Sequence, residues 1–194
     1  MWVKLERVRC LVVGAGSIGY QKIQSLTEYK ASVTVIARQA VEEVIRLGRD
    51  KKIKLLLRDY RTGDCRPFEL IVVATNDSVL NKKISKEARR FKRWVNVVDV
   101  PGLCSFYYGS IARMGDLQIS VSTNGQSPAL AAKIKSRLEK QYSAYVPLLN
   151  YLGGIRKRVK QKFGSDTKER DAFFRRILEE ESLNVEYLRK KFPL

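Results

Sequence analysis

Five short, mainly apolar runs punctuate the first hundred residues, at 8–13, 33–37, 54–57, 68–74 and 95–99. They lack the polar alternation of a half-exposed strand. Between them lie helical patterns: one opening after residue 13 and reaching about Glu28, one over 42–48 and one over about 79–91. Continuous apolar strands separated by helices require a parallel sheet covered on both faces. The first part of the chain is therefore expected to be a doubly wound α/β domain.

The first strand runs straight into Gly14-Ala15-Gly16-Ser17-Ile18-Gly19. In a G-x-G-x-x-G turn the first glycine allows the tight bend and the second lets a pyrophosphate approach the backbone. The third lets helix and strand pack closely. The helix N-terminus adds free N–H groups and partial positive charge. The position of this loop, at the start of a βαβ unit, points to a Rossmann-like dinucleotide site; a purely structural turn is the plain alternative. An acidic residue at the end of the second strand would hold the ribose 2′-OH of NAD. Here Ala37-Arg38-Gln39 stands in that place, with no carboxylate before Glu42. Arg38 can accept a 2′-phosphate, stack on adenine or face solvent, so this position alone does not choose between NAD and NADP.

Two further carboxyl-edge positions carry polar groups. Thr75, Asn76 and Asp77 follow the fourth strand, where doubly wound folds bind ligands, although Asn76 or Asp77 can equally cap the next helix. Asp99 is expected to end the fifth strand at the same edge, where it is the first-domain carboxylate best placed to act on a ligand.

After Pro101 the pattern changes. Residues 117–122 alternate as a strand with one wet face, able to pair with 109–113 across Met114-Gly115-Asp116. Ser127-Pro128 starts a helix reaching about Tyr142, and its free N–H groups suit a carboxylate. A second helix over 147–163 is interrupted, if anywhere, at Gly153-Gly154. Asp166 to Glu169 has capping-box spacing before a third, and a last amphipathic piece covers 185–192. The expected division is a domain over 1–112, a small α+β dimerisation segment over 113–145 and a helical region over 146–194.

The 194 residues include 38 Lys+Arg, 20 Asp+Glu and no histidine, a net charge of +18. Without histidine there is no Ser-His-Asp triad, no Cys-His pair and no imidazole zinc site. Cys10, Cys65 and Cys104 are odd in number and form no C-x-x-C, which suits inert thiols in a reducing compartment. No metal-ligating set is expected. The charge is spread evenly: 21 basic and 11 acidic residues over 1–112, 17 and 9 over 113–194. There is no basic arm and no helix-turn-helix, so neither nucleic acid nor a membrane is the expected partner. The start of the chain lacks a signal-like apolar run, and no stretch reaches the ~18 apolar residues of a membrane span. A cytoplasmic protein is expected.

Several blocks carry a more specific message: GAGSIGYQK (14–22), VTVIAR (33–38), VVATND (72–77), VNVVDVPGLCSF (95–106) and DLQISVSTNGQSPALAAKIKSRLE (116–139). Together they resemble the precorrin-2 dehydrogenase / sirohydrochlorin ferrochelatase family of sirohaem synthesis, which includes the N-terminal part of sirohaem synthase. The resemblance implies oxidation of precorrin-2 to sirohydrochlorin with NAD⁺, with Fe²⁺ insertion in some members, by a homodimer. It implies that Asp99 is the catalytic residue and that Ser17, Ile18, Arg38 and Gln39 contact NAD. Thr123 and Ser127, in the last block, are the candidate substrate-binding residues. The sequence departs from the family pattern at Val100, where a second aspartate is frequent, and at Gly109, where proline is common. Because the sequence stops at Leu194, the methyltransferase half of the fused enzyme is expected to be absent. The substrate, a tetrapyrrole with eight carboxylates, would suit the positive charge. Two competing readings are a Rossmann redox sensor that binds NAD(H) without catalysis and a dehydrogenase of another small substrate. Steeply salt-dependent binding to a DNA duplex would mark the sensor.

Overall fold

The computed structural model describes residues 3–193. They form two compact units, the first ending at Tyr108 and the second beginning at Gly109. This differs from the expected break after residue 112, which would cut a strand in two.

The first unit alternates β1 (Arg9–Ala15), α1 (Ser17–Glu28), β2 (Ser32–Ala40), α2 (Glu42–Arg49), β3 (Lys54–Leu57), β4 (Leu70–Val73), α3 (Ser78–Arg90) and β5 (Trp94–Val97). All five strands are parallel, in the order β3-β2-β1-β4-β5. The apolar run of β1 is continuous because successive side chains serve opposite faces. Cys10 and Val12 join Ile23, Leu26, Val35 and Val44 on one side; Leu11 and Val13 join Ile36, Ile71, Ile84 and Ala88 on the other. Removing each such Val, Leu or Ile side chain from water contributes about 1.5–3 kcal/mol. Acidic residues at the start of α2 (Glu42, Glu43) and basic ones at its end (Arg46, Arg49) complement the helix dipole.

Two strand limits differ from expectation. β2 continues through Arg38 and Gln39 to Ala40, which pairs with Ala15 after a register shift that leaves the extra residues on β2. β5 stops at Val97, so Asp99 does not end a strand. It lies in a turn, with a left-handed backbone (φ +59°), closed by Val100 N–H donating to the Val97 carbonyl at 3.2 Å.

The second unit opens with a hairpin of β6 (Ser110–Met114) and β7 (Leu117–Val121), antiparallel from Met114↔Leu117 to Ser110↔Val121. Gly115, at φ +59°, supplies the positive φ needed at the first turn position. β7 contains no buried residue, so its alternating pattern does not produce a fully buried face within the unit. The helices follow: α4 (Pro128–Tyr142), α5 (Val146–Phe163), α6 (Thr167–Leu178) and α7 (Val185–Lys191). α5 runs unbroken through Gly153 and Gly154. Leu148, Ile155 and Val159 anchor both halves of it against Phe173, Ile177 and Leu188, which outweighs the ~1 kcal/mol helix penalty of each glycine. Among the described residues, no helix is long and apolar enough to cross a membrane.

Candidate functional site

The carboxyl edge of the first unit's sheet holds a cleft of about 490 Å³. The glycine loop forms one wall, and its tightness is steric. Gly14 has φ +101°, and a Cβ there would lie 2.2 Å from the Ala74 carbonyl oxygen; a Cβ on Gly19 would lie 2.4 Å from the Gly14 oxygen. Gly16 is the opposite case, since a Cβ there meets nothing within 4 Å and would project into open space. Gly16 is also the N-cap of α1, with no side-chain capping bond and no acidic residue in the first turn. The first-turn N–H groups of Ser17, Ile18 and Gly19 have no intrahelical acceptor. Space without a side chain, next to uncapped N–H donors, fits a dinucleotide pyrophosphate.

Ser17 and Ile18 line the cleft with the three glycines, and Arg38 and Gln39 line it from β2. Thr75, Asn76 and Asp77 line it from the β4–α3 turn. Much of that turn's polarity is spent on holding itself. Thr75 Oγ1 donates to Asn81 Oδ1 at 2.5 Å, and Asn81 Nδ2 donates back to the Thr75 carbonyl at 2.9 Å. Asp77 caps α3, accepting from Val79 and Leu80 N–H at 3.0 and 2.9 Å. Thus Asp77 is both a helix cap and a wall of the cleft.

Arg58, Asp59 and Tyr60 also line the cleft; sequence reasoning missed them. Arg38 Nε donates to the Asp59 carboxylate, and Arg58 grips Asp64 through Nη1–Oδ2 at 2.6 Å and Nη2–Oδ1 at 2.9 Å. Nothing in the run Arg58-Asp59-Tyr60-Arg61 itself marks these residues; the parallel pairing of β3 with β2 brings them to the cleft.

Asp99 does not line this cleft. It is exposed, on the turn leaving the same sheet edge. Lys22 of α1, half-buried, holds its ammonium 4.4 Å from the centre of the Tyr108 ring. Burial pushes the Lys22 pKa down, and the Asp99 charge opposes that shift. Thr123 and Ser127 belong to the second unit. There Ser127 N–H donates to Thr123 Oγ1 at 3.1 Å, and Ser127 Oγ caps α4 by accepting from Leu130 N–H at 3.2 Å. Cys10 and Cys65 are buried, and burial pushes the Cys10 thiol up to about 12 and raises that of Cys65. Neither is an activated nucleophile.

Residues 1–110 match the family described as "Putative NAD(P)-binding". The chain belongs to this NAD(P)-binding family. In this family member the segment after the sheet, residues 115–141, matches a second model, "Sirohaem biosynthesis protein central". Among curated proteins it is similar to the siroheme synthase of Vesicomyosocius okutanii, 38% identical over 84% of this chain and 35% of the relative. It is similar also to that of Methylococcus capsulatus, 34% identical over 92% of this chain and 38% of the relative. The NAD(P)-binding chain thus spans a little over a third of the length of these relatives. The solved structure of SirC, a precorrin-2 dehydrogenase, shares the fold: TM-score 0.81 over 99% of this chain and 98% of that one, at 21% identity. These matches bear out the family resemblance and the α/β architecture read from the sequence.

Proposed function

We propose that the chain is an NAD-dependent precorrin-2 dehydrogenase, oxidising precorrin-2 to sirohydrochlorin in sirohaem synthesis. One observation carries this reading: a glycine-walled cleft at a sheet edge, in a chain whose next segment matches the central family of sirohaem biosynthesis proteins. When bound, NAD⁺ supplies the hydride acceptor. The protein's tasks are to hold the dinucleotide, present the macrocycle and accept the proton that accompanies the oxidation.

Gly14, Gly16 and Gly19 with the first-turn N–H groups of α1 would hold the pyrophosphate. Thr75, Asn76 and Asp77 would border the nicotinamide side. Asp99 is assigned as the proton acceptor, since its turn carries the carboxylate out of the sheet edge into solvent, where a substrate can meet it. Lys22, which feels the Asp99 charge, supplies a cation for a substrate carboxylate. Thr123 and Ser127 are assigned to further substrate carboxylates. The same reading makes the chain a cytoplasmic homodimer. The hairpin supports this, because a two-stranded ribbon is marginal alone and Leu117, Ile119 and Val121 remain half-exposed.

The test is an anaerobic absorbance time course with precorrin-2 and NAD⁺, with and without Fe²⁺. Formation of sirohydrochlorin with equimolar NADH is expected; no spectral change in the presence of bound NAD⁺ would overturn the assignment. Light scattering on the same sample tests the dimer.

A further inference from the structure

The chain carries +18 overall, yet the β2–β3 end of the cleft is not a free cationic surface. Ala37 pairs with Leu57 in parallel register, and Arg58 N–H donates to the Ala37 carbonyl at 2.9 Å. Residues leaving β3 therefore emerge beside Arg38 and Gln39. Arg38 is engaged by Asp59, and Arg58 is held in a two-pronged pair by Asp64. The Asp77 carboxylate adds its field at Arg38. Two guanidinium groups thus answer to three carboxylates.

We propose that Asp59 sets the dinucleotide selectivity of this chain: it replaces the carboxylate missing from the end of β2, accepts a hydrogen bond from the adenosine ribose 2′-OH, and excludes a 2′-phosphate. The inference rests on the dinucleotide reading of the cleft. A ribose hydroxyl donates, and a carboxylate is the strongest acceptor the chain offers there. A 2′-phosphate brings about two negative charges into the same space. It would face Asp59 directly and could recruit Arg38 only by breaking an existing pair. The Arg38 and Asp59 side chains are 77% and 68% exposed, so the pair itself is weak. Discrimination comes from like-charge repulsion against the phosphate rather than from the strength of that pair. Arg38, freed from Asp59, becomes the natural phosphate ligand.

The experiment is direct binding on the full chain: fluorescence titration with NADH and NADPH, and calorimetry with NAD⁺ and NADP⁺. The wild type is expected to bind the unphosphorylated dinucleotide at least about tenfold more tightly. Asp59→Asn keeps the shape of an exposed side chain; it should tighten NADP⁺ binding about tenfold and weaken NAD⁺ binding by about threefold. Adding Arg38→Ala to that variant should abolish the gained NADP⁺ affinity. Equal wild-type affinity for the two dinucleotides, or an unmoved NADP⁺ affinity in Asp59→Asn, overturns the role of Asp59 and leaves the cleft's assignment intact. Binding of neither dinucleotide overturns both.

Discussion

Cys104 Sγ lies 3.2 Å from the amide nitrogen of Val97 and 3.2 Å from its carbonyl oxygen, while the Val100 carbonyl is 3.4 Å away. The thiol accepts from the Val97 N–H and faces its own hydrogen towards the two carbonyls. One side chain thus clamps both ends of the turn that presents Asp99. Cys104→Ala is expected to cost about 1 kcal/mol of stability. It should lower kcat for precorrin-2 while leaving the NADH dissociation constant nearly unchanged, and Cys104→Ser should restore part of both losses. Steady-state kinetics beside thermal denaturation checks this; equal kcat in the alanine variant removes the clamp from the mechanism.

Asp99 itself occupies the left-handed region that asparagine also tolerates, so Asp99→Asn keeps the turn and removes only the carboxylate charge. Sirohydrochlorin formation should fall by about 10²-fold or more. NADH titration should give the wild-type affinity. Undiminished turnover in the anaerobic assay would take Asp99 out of the chemistry.

The three loop glycines should separate into two behaviours. Gly14→Ala places a Cβ on the Ala74 carbonyl at a positive φ, and a loss of about 3 kcal/mol or more is expected, seen as a lower denaturation midpoint. Gly16→Ala meets no protein atom, so the midpoint should hold. Its methyl group would occupy phosphate space, weakening NAD⁺ binding by about tenfold. A calorimetric titration at matched stability distinguishes the two.

Asp64 links the cleft to pH. The Arg58 guanidinium holds its carboxyl below the usual range, against the opposing effect of burial. A carboxyl depressed in the fold stabilises it at pH values above its unfolded pKa of about 3.9, and that contribution disappears as pH falls through the lower folded value. Asp64→Asn should therefore destabilise the fold at pH 7, and the difference from wild type should shrink as pH falls through the lowered carboxyl value. Urea unfolding across this range is the measurement.

The sheet was legible because each apolar run had to fill two faces at once, as Cys10 and Leu11 do on opposite sides of β1. The glycine loop was legible because its spacing encodes a steric demand, visible now as the contact between Gly14 and Ala74. Asp59 was not, because its place beside Arg38 is created by the pairing of β2 with β3 and by no local pattern. Lys22 was hidden for a similar reason: its burial depends on Tyr108 returning across α1's side of the sheet. Asp99 was located at the correct edge but given an extended backbone, since a strand's last residue and the following turn look alike in an apolar run. The pair Gly153-Gly154 suggested a break that core packing on both sides prevents.

The contact between Gly14 and the Ala74 carbonyl also bears on how the protein acquires its shape. The hairpin of β6 and β7 and the later helices join residues close in sequence. The cradle, by contrast, needs β4 docked beside β1 after two intervening strands and two helices have been synthesised. Closing so long a loop carries an entropic cost before any contact repays it, and such non-local pairings slow folding. The glycine cradle is thus completed by a segment made well after the glycines themselves. A chain released before β4 has emerged would carry the full G-x-G-x-x-G motif and still lack the wall against which it is shaped.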